Sequence, residues 1–434
     1  MKGAPRTSPA TSPRRDAVPS ARTPDAWVWR GLLALAFLGI GFSAVHKQTR
    51  DGNDFPIYWQ AARDLWAGRS PYDVTSGLHG YVYLPWFALA LGAVAWLPLP
   101  AAAWCMYTRN VALAWVTVRT LARALPQAGF ARLPRVWFAA SVPLLGLVHD
   151  NLVLGQANLA LLALLAITLQ AALEGRPLAG AALGFAAALK MPASVLVLPF
   201  MRRRRGRMLL AFALAAATAL LLPFVVGGPA RNMTLLRDWQ AKVVAPAAAG
   251  TLQGSRTIDQ SPHATLRRLL VDEPATGARH VNVAALDTAT FARVSRAVAL
   301  LLFAGYALVW FVAPAPAPPR ALALDLALGA CAMVQVSGFN LKAQFVVLLL
   351  PAWIAATLAW SQRANGQRGS LLAAALLFLG SAPSMVGRGA SEALLAYGSM
   401  TLGTLLLAAV LVRQRFMPSP SATPTAGRST GTTP

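Results

Sequence analysis

The residues best suited to chemistry fall in one polar segment. It reads Asp51-Gly52-Asn53-Asp54-Phe55-Pro56-Ile57-Tyr58-Trp59-Gln60-Ala61-Ala62-Arg63, continues through Gly68-Arg69-Ser70-Pro71-Tyr72-Asp73 and ends at Tyr81-Val82-Tyr83-Leu84-Pro85. A carboxylate can take the proton of a hydroxyl that is turning into a nucleophile. Aromatic faces beside carboxylates suit a carbohydrate ring and its hydroxyls. The same residues would also serve as solvated loop acids with an aromatic belt at a membrane surface. Asp51 precedes Gly52 and reads as a turn residue, as does Asp73 after Pro71-Tyr72. Asp64 follows Arg63 in an amphipathic stretch and is expected to face solvent. Asp54 leads Phe55, Tyr58 and Trp59, which would withdraw it from water.

Other polar residues lie inside apolar blocks. Gln156 and Asn158 could be interhelical hydrogen-bonders or ligand contacts. Lys190, Lys342 and Asp325 are ionisable at or near membrane depth, where charge is costly and function is the default suspicion. Lys342 could instead snorkel from a helix end. Arg109 lies mid-block with no assignable partner. His149 beside Asp150 offers too few ligands for a metal and reads as structural. Cys105 and Cys331 both sit in apolar blocks, so neither a disulfide framework nor a thiolate metal site is indicated.

The elements that must position these residues are apolar. Of 434 residues, 56% are hydrophobic and 12% charged, against about a quarter charged in soluble domains. The apolar residues fall in blocks of about 17–25, the length that spans a bilayer. The net charge of +24 sits in short Arg-rich connections such as 201–207 rather than in a recognition motif, which excludes nucleic acid as a partner. Segments 1–25 and 417–434 are rich in Pro, Ser and Thr and read as disordered tails. Between them, within 26–416, about twelve candidate spans can be counted from 27–45 to 391–412, including 82–98, 101–118, 134–149, 177–200, 294–313 and 370–387. Two connections, 46–81 and 228–293, are too long and polar for turns. Segment 1–30 carries six Lys/Arg against two acids, and 201–207 and 361–369 carry only Arg, which puts both termini in the cytoplasm and both long loops outside. Segment 119–135, with Arg119, Arg123, Arg132 and Arg135, objects to that count.

Asp54-Phe55-Pro56-Ile57-Tyr58, Ala61-Ala62, Gly68-Arg69-Ser70-Pro71-Tyr72 and Tyr81-Val82-Tyr83-Leu84-Pro85 resemble, in order and spacing, the opening signature of glycosyltransferase family 87 in the GT-C superfamily. Four later segments resemble further motifs of that family. They are Gly155-Gln156-Ala157-Asn158, Lys190-Met191-Pro192, Asp259-Gln260-Ser261 with Arg267 and Arg268, and Ser337-Gly338-Phe339-Asn340-Leu341-Lys342-Ala343-Gln344-Phe345. Gly338 stands where the family usually has Pro, Asp259 where it has Asn, and Gln344 where it has His. A Gln can hydrogen-bond there but cannot be cationic.

The resemblance implies an all-α, polytopic transmembrane bundle with two larger extracytoplasmic loops, in a bacterial cytoplasmic (inner) membrane. It implies an inverting transfer of a hexose, typically mannose, from a polyprenyl-phosphate-linked donor to a lipid or glycan acceptor outside the cytoplasm. Asp54 would be the general base. Tyr58, Trp59, Tyr72, Tyr83, Gln156, Asn158, Lys190, Arg256, Gln260, Arg267, Arg268, Lys342 and Gln344 would contact substrate. No cofactor or metal is required if lysine and arginine neutralise one phosphate. The expected partners are the donor, the acceptor and membrane lipids. The competing expectation is a secondary transporter or a flippase of a lipid-linked sugar, which would show matched broken spans in two halves. Only one break, at 190–192, is evident.

Overall fold

The computed structural model describes residues 26–50, 53–73, 80–249, 257–275, 279–313, 318–362 and 365–417. The expected tails, apart from Met417, and the candidates Asp51 and Arg256 lie outside the described residues. The described residues are helical with no strand; an isolated antiparallel bridge joins Asp259 to Leu341. The chain divides into two units, Met1–Phe42 and Ser43–Pro434.

In the first unit, the described residues belong to α1 (Ala26–Gln48), whose Leu32, Leu33, Leu35, Leu38, Ile40 and Phe42 are exposed. In the second unit, the first long loop folds as α2 (Asp54–Trp66) and a 3₁₀ turn, Pro71–Asp73. The block expected to span at 82–98 is two short helices, α3 (Pro85–Ala90) and α4 (Gly92–Ala95). Next come α5 (Leu99–Gln127), α6 (Pro134–Ser141), α7 (Leu145–Leu154), α8 (Asn158–Leu173) and α9 (Leu178–Leu189). Arg119 and Arg123, in the segment that objected to the span count, continue α5.

Block 177–200 breaks at Lys190, whose backbone is extended, before a 3₁₀ stretch, Met191–Val197, and α10 (Leu198–Arg202). Pro192 cannot donate to a continuing helix, which accounts for the break. After α11 (Gly206–Leu221) the second long loop runs through α12 (Phe224–Trp239), α13 (Ala245–Ala249) and α14 (Pro262–Leu270). The C-terminal part comprises α15 (Thr288–Val312), α16 (Pro318–Gln335), a 3₁₀ stretch at Lys342–Leu348, α17 (Leu349–Ser361), α18 (Asn365–Gly380), α19 (Pro383–Val386), α20 (Arg388–Ala396) and α21 (Ser399–Phe416).

Among the described residues, four helical stretches are long and apolar enough to cross a bilayer, or up to six if each of two bent pairs is one span. Helices α8 and α16 are buried nearly all round and form the interior. Gly180 and Gly184, four apart on α9, let it pack directly on the α11 backbone; a Cβ at Gly184 would lie 2.6 Å from the Phe212 carbonyl oxygen. Such small-residue contacts replace the hydrophobic effect where lipid is the solvent. Outward-facing Trp115, Phe138, Leu214, Leu300, Leu301, Leu308, Phe311 and Leu372 give the exterior an apolar surface suited to lipid. Asp325, fully buried on α16, is held by Arg203 Nη2 at 2.5 Å and Arg415 Nε at 2.7 Å, so this buried acid ties three elements together.

The two long loops fold onto each other. Lys242 Nζ lies 2.6 Å from Asp73 Oδ1, Ser70 Oγ donates to Asp238 Oδ2 at 2.8 Å, and Trp239 Nε1 donates to the Val82 carbonyl at 3.3 Å. Asp64, expected to face solvent, is buried, because Arg69 and Gln60 both donate to its carboxylate from the same loop.

Candidate active site

Asp54 is the first residue of α2, where a carboxylate meets the positive end of the helix dipole. Its Oδ2 accepts from Gln156 Nε2 at 2.5 Å. The Gly155-Gln156-Ala157-Asn158 segment is built for that contact. Gly155 ends α7 in a left-handed conformation (φ 65°), and a Cβ there would sit 2.8 Å from the Phe55 Cβ. Glycine therefore lets α2 approach closely enough for the next residue to reach Asp54. Asn158 Nδ2 donates to Gln156 Oε1, which fixes the amide with its N–H₂ toward the carboxylate. From α5, Asn110 Nδ2 donates to the Gln156 carbonyl at 3.2 Å, and Arg109 Nη2 donates to Asn110 Oδ1 at 3.0 Å.

A second group closes on the same acid. Lys190, at the break after α9, donates to Gln344 Oε1 at 2.9 Å and lies 5.8 Å from the centre of the Tyr83 ring. Tyr58 and Tyr83 meet edge to face, ring centres 5.3 Å apart, with their hydroxyls 3.2 Å apart. Burial pushes the Asp54 carboxyl above the usual carboxylate range, against the opposing effects of the Gln156 hydrogen bond and the Lys190 charge. Asp54 is half-buried, and its carboxylate can take a proton from a group presented to it.

The remaining candidates make other contacts. Trp59 Nε1 donates to the Leu97 carbonyl at 3.1 Å with Arg63 over its ring, and Tyr72 Oη donates to the Tyr83 carbonyl at 2.8 Å, so both brace the loop. Gln260 Nε2 donates to the carbonyls of Thr257 and Leu395 at 2.7 and 2.8 Å. Arg268, fully buried, donates to the carbonyls of Asp259 at 2.8 Å and Ala396 at 2.9 Å. Arg267 grips Glu273 with two hydrogen bonds of 3.0 and 2.6 Å. Asp259 accepts from the backbone N–H of Ser261 at 2.8 Å and Asn340 at 3.0 Å. This second motif therefore ties the second long loop to the 337–345 segment. Lys342 pairs with Asp150 at 2.9 Å and donates to the Ser381 carbonyl at 3.2 Å. Nothing local in the sequence pairs Asp150 with Lys342 or gives Arg109 a partner, and no motif singles out Asn110. The available signal for Asn110 was a second polar residue beside Arg109 inside an apolar block.

Tyr83, Lys190 and Gln344 line a cavity of about 1090 Å³ whose other walls come from α10, α11, α13, α14, α15 and the Ser337–Phe339 segment. Its described lining is mostly Ala, Val, Leu, Phe and Pro, so it suits a largely apolar ligand with a polar end. Among the described residues, no group of three or more His, Cys, Asp or Glu is placed to hold a metal ion.

Comparison with known proteins places this arrangement. The model of glycosyltransferase family 87 matches residues 81–338, more than half of the chain. That match includes Tyr83, Gln156, Lys190 and Arg268, and begins after Asp54. A polyprenol-phosphate-mannose-dependent alpha-(1-2)-phosphatidylinositol mannoside mannosyltransferase from Mycobacterium tuberculosis is 29% identical over 226 residues, covering 46% of this chain and 51% of the relative. The match thus spans about half the length of that relative.

Proposed function

This chain belongs to glycosyltransferase family 87, and from that premise we propose that it moves a hexose, mannose in the first instance, from a polyprenyl-phosphate carrier to a lipid or glycan acceptor at the outer face of a bacterial cytoplasmic membrane. The observation that carries the reading is the half-buried Asp54 carboxylate, held by Gln156 beside a lysine that lines an apolar cavity. The mannose donor is suggested by the relative's name.

The reaction is an inverting displacement. Asp54 takes the proton of the acceptor hydroxyl as its oxygen attacks the anomeric carbon. The bond from that carbon to the phosphate oxygen breaks, and the phosphate leaves with the carrier lipid. Lys190, with donors to spare beyond Gln344, neutralises the leaving charge, and Tyr58 and Tyr83 flank the ring. Gln156 and Asn158 keep the carboxylate aimed. The carrier's chain lies in the cavity, and its phosphate sits at headgroup level. Both termini lie in the cytoplasm, as the Arg-rich 201–207 segment argues, and the long loops lie outside. Broken helices such as α9–α10 fill the count toward twelve crossings.

Purified protein, polyprenyl-phosphate-[14C]mannose and total membrane lipid test this directly. A labelled lipid made by wild type and lost in Asp54→Asn is expected. Carrier lipid moved between leaflets with no product would favour a flippase instead.

A further inference from the structure

Besides Lys190, the same cavity has another polar point that the reaction above does not use. His263, the second residue of α14, meets Ser295 of α15 with Nδ1 and Oγ 2.8 Å apart. Its ring stands edge-on to Phe291, centres 5.2 Å apart, which fixes its plane. Arg296 follows Ser295, lines the cavity and is exposed, and no carboxylate lies within ion-pair distance of it among the described residues. An imidazole–hydroxyl pair can donate to an oxygen anion from either member, and a guanidinium presents a fork of donors.

Charge and surroundings define the ligand. The described lining holds Lys190, Arg296 and His263 and no Asp or Glu, so the cavity favours anions. The rest of the wall is apolar, and α15 exposes Leu300, Leu301, Leu308, Phe311 and Val312. A ligand for this point can enter sideways from the bilayer and leave its chains there. We propose that His263, Ser295 and Arg296 form a second anion-binding point, which holds the phosphodiester of a phospholipid-anchored acceptor while Lys190 holds the donor's phosphate. The acceptor role rests on the transferase reading above. The binding chemistry, an anionic phospholipid headgroup, stands on the cavity itself.

The test uses the full chain in phosphatidylcholine nanodiscs, with fluorescent phosphatidylinositol as probe and polyprenyl-phosphate-mannose titrated separately. Phosphatidylinositol is expected to bind. Arg296→Gln should weaken it about ten- to a hundredfold, the worth of a charge-assisted hydrogen bond, and His263→Gln should weaken it less. Donor affinity should hold in both variants. Arg293→Gln, on the same exposed helix, should change neither affinity. Unchanged phosphatidylinositol affinity in both Arg296→Gln and His263→Gln would overturn the proposal. Equal loss of donor and phosphatidylinositol binding would also overturn it, because the point would then belong to the donor. Full displacement of the probe by millimolar inorganic phosphate would make it a free-anion site and sink the lipid assignment. Wild type that binds phosphatidylinositol in this Arg296-dependent way yet makes no labelled glycolipid would leave the anionic-lipid site standing and defeat the transferase reading.

Discussion

Asp54 and Asp259 are carboxylates withdrawn from water, each in a segment that resembles a family motif, and each raised above the usual carboxylate range by burial. Their partners differ. Asp54 is half-buried and receives a side-chain hydrogen bond from Gln156, with Lys190 near enough for its charge to act on it. Asp259 is 3% exposed and receives backbone N–H groups from Ser261 and Asn340, while the neighbouring Arg268 spends its donors on carbonyl oxygens. A partly exposed carboxylate with one side-chain donor can still be reached by a substrate hydroxyl. One held by the backbone of two segments, with its neighbours locked, closes a loop onto the core. Resemblance to a motif therefore does not say which of these two jobs a residue has; its partners do.

The largest expected effect separates the two acids. Asp54→Asn keeps shape and hydrogen-bonding but removes the proton acceptor, so transfer should fall by about 10²–10⁴-fold or more, with thermal unfolding little changed. Asp259→Asn should lower activity only in step with the folded fraction. Radiolabel transfer beside fluorescence-detected thermal unfolding reads both. Near-normal transfer by Asp54→Asn would remove it as the base.

The lysines give the next contrast. Lys190→Met removes the cation beside Tyr83 in the cavity and should cost about 10²–10³-fold in transfer, the scale of losing one preorganised charge stabiliser. Lys342→Met breaks a pair with the partly exposed Asp150 and should cost about tenfold or less. Donor-dependence kinetics of both variants decide it; the reverse order would move the phosphate site to Lys342.

Much of this was legible in the residues, and the parts that were not have physical causes. Apolar blocks gave the helical membrane class, and the order of short motifs gave the family. Asp54 stood out by its aromatic neighbours. Its partner Gln156 is 102 positions away, and no local pattern reports such a contact. Lys342 and Gln344 read as one cluster in sequence. They begin a 3₁₀ stretch of about three residues per turn, where positions two apart point about 120° away from each other around the axis, so one meets Asp150 and the other Lys190. Helical periodicity puts Asp64 on the solvent face and carries no sign of Arg69, which turns back onto it. The block at 82–98 met the length of a span, yet its chain is two short helices, with Pro85 opening the first and Gly92 the second.

Two adjacent arginines sharpen the scaffolding side. Arg268→Met leaves the carbonyl oxygens of Asp259 and Ala396 without that donor, each unpaired buried group costing about 1–3 kcal/mol. Arg267→Met loses a partly exposed pair with Glu273, worth about 1 kcal/mol or less. The yield of folded protein and its unfolding midpoint should drop sharply for the first and barely for the second. Equal, small effects would mean that the Asp259–Arg268 lattice does not hold the loop.

The smallest effect is a divergence with pH. Burial raises the Asp259 carboxyl to about 6 in the folded chain, from an ordinary 3.8. The folded state then binds that proton more tightly than the unfolded one, so the stability it contributes is fully present below the ordinary value and is lost as pH rises through about 6. Acidifying from pH 7 to 5 should therefore raise the unfolding midpoint of wild type relative to Asp259→Asn. Activity should move the other way. A general base works only when deprotonated, and Asp54 is raised too, so the acid limb of the rate profile should lie above that of an unperturbed aspartate. Gln156→Ala removes a hydrogen bond that favours the charged carboxylate, and should push that limb to still higher pH while leaving the stability trend intact. Paired pH series of transfer rate and unfolding midpoint on wild type, Asp259→Asn and Gln156→Ala provide the check. A Gln156→Ala limb that stays put would mean that the rate-controlling ionisation is not Asp54's, and the division of labour between the two acids would fail at its chemical end.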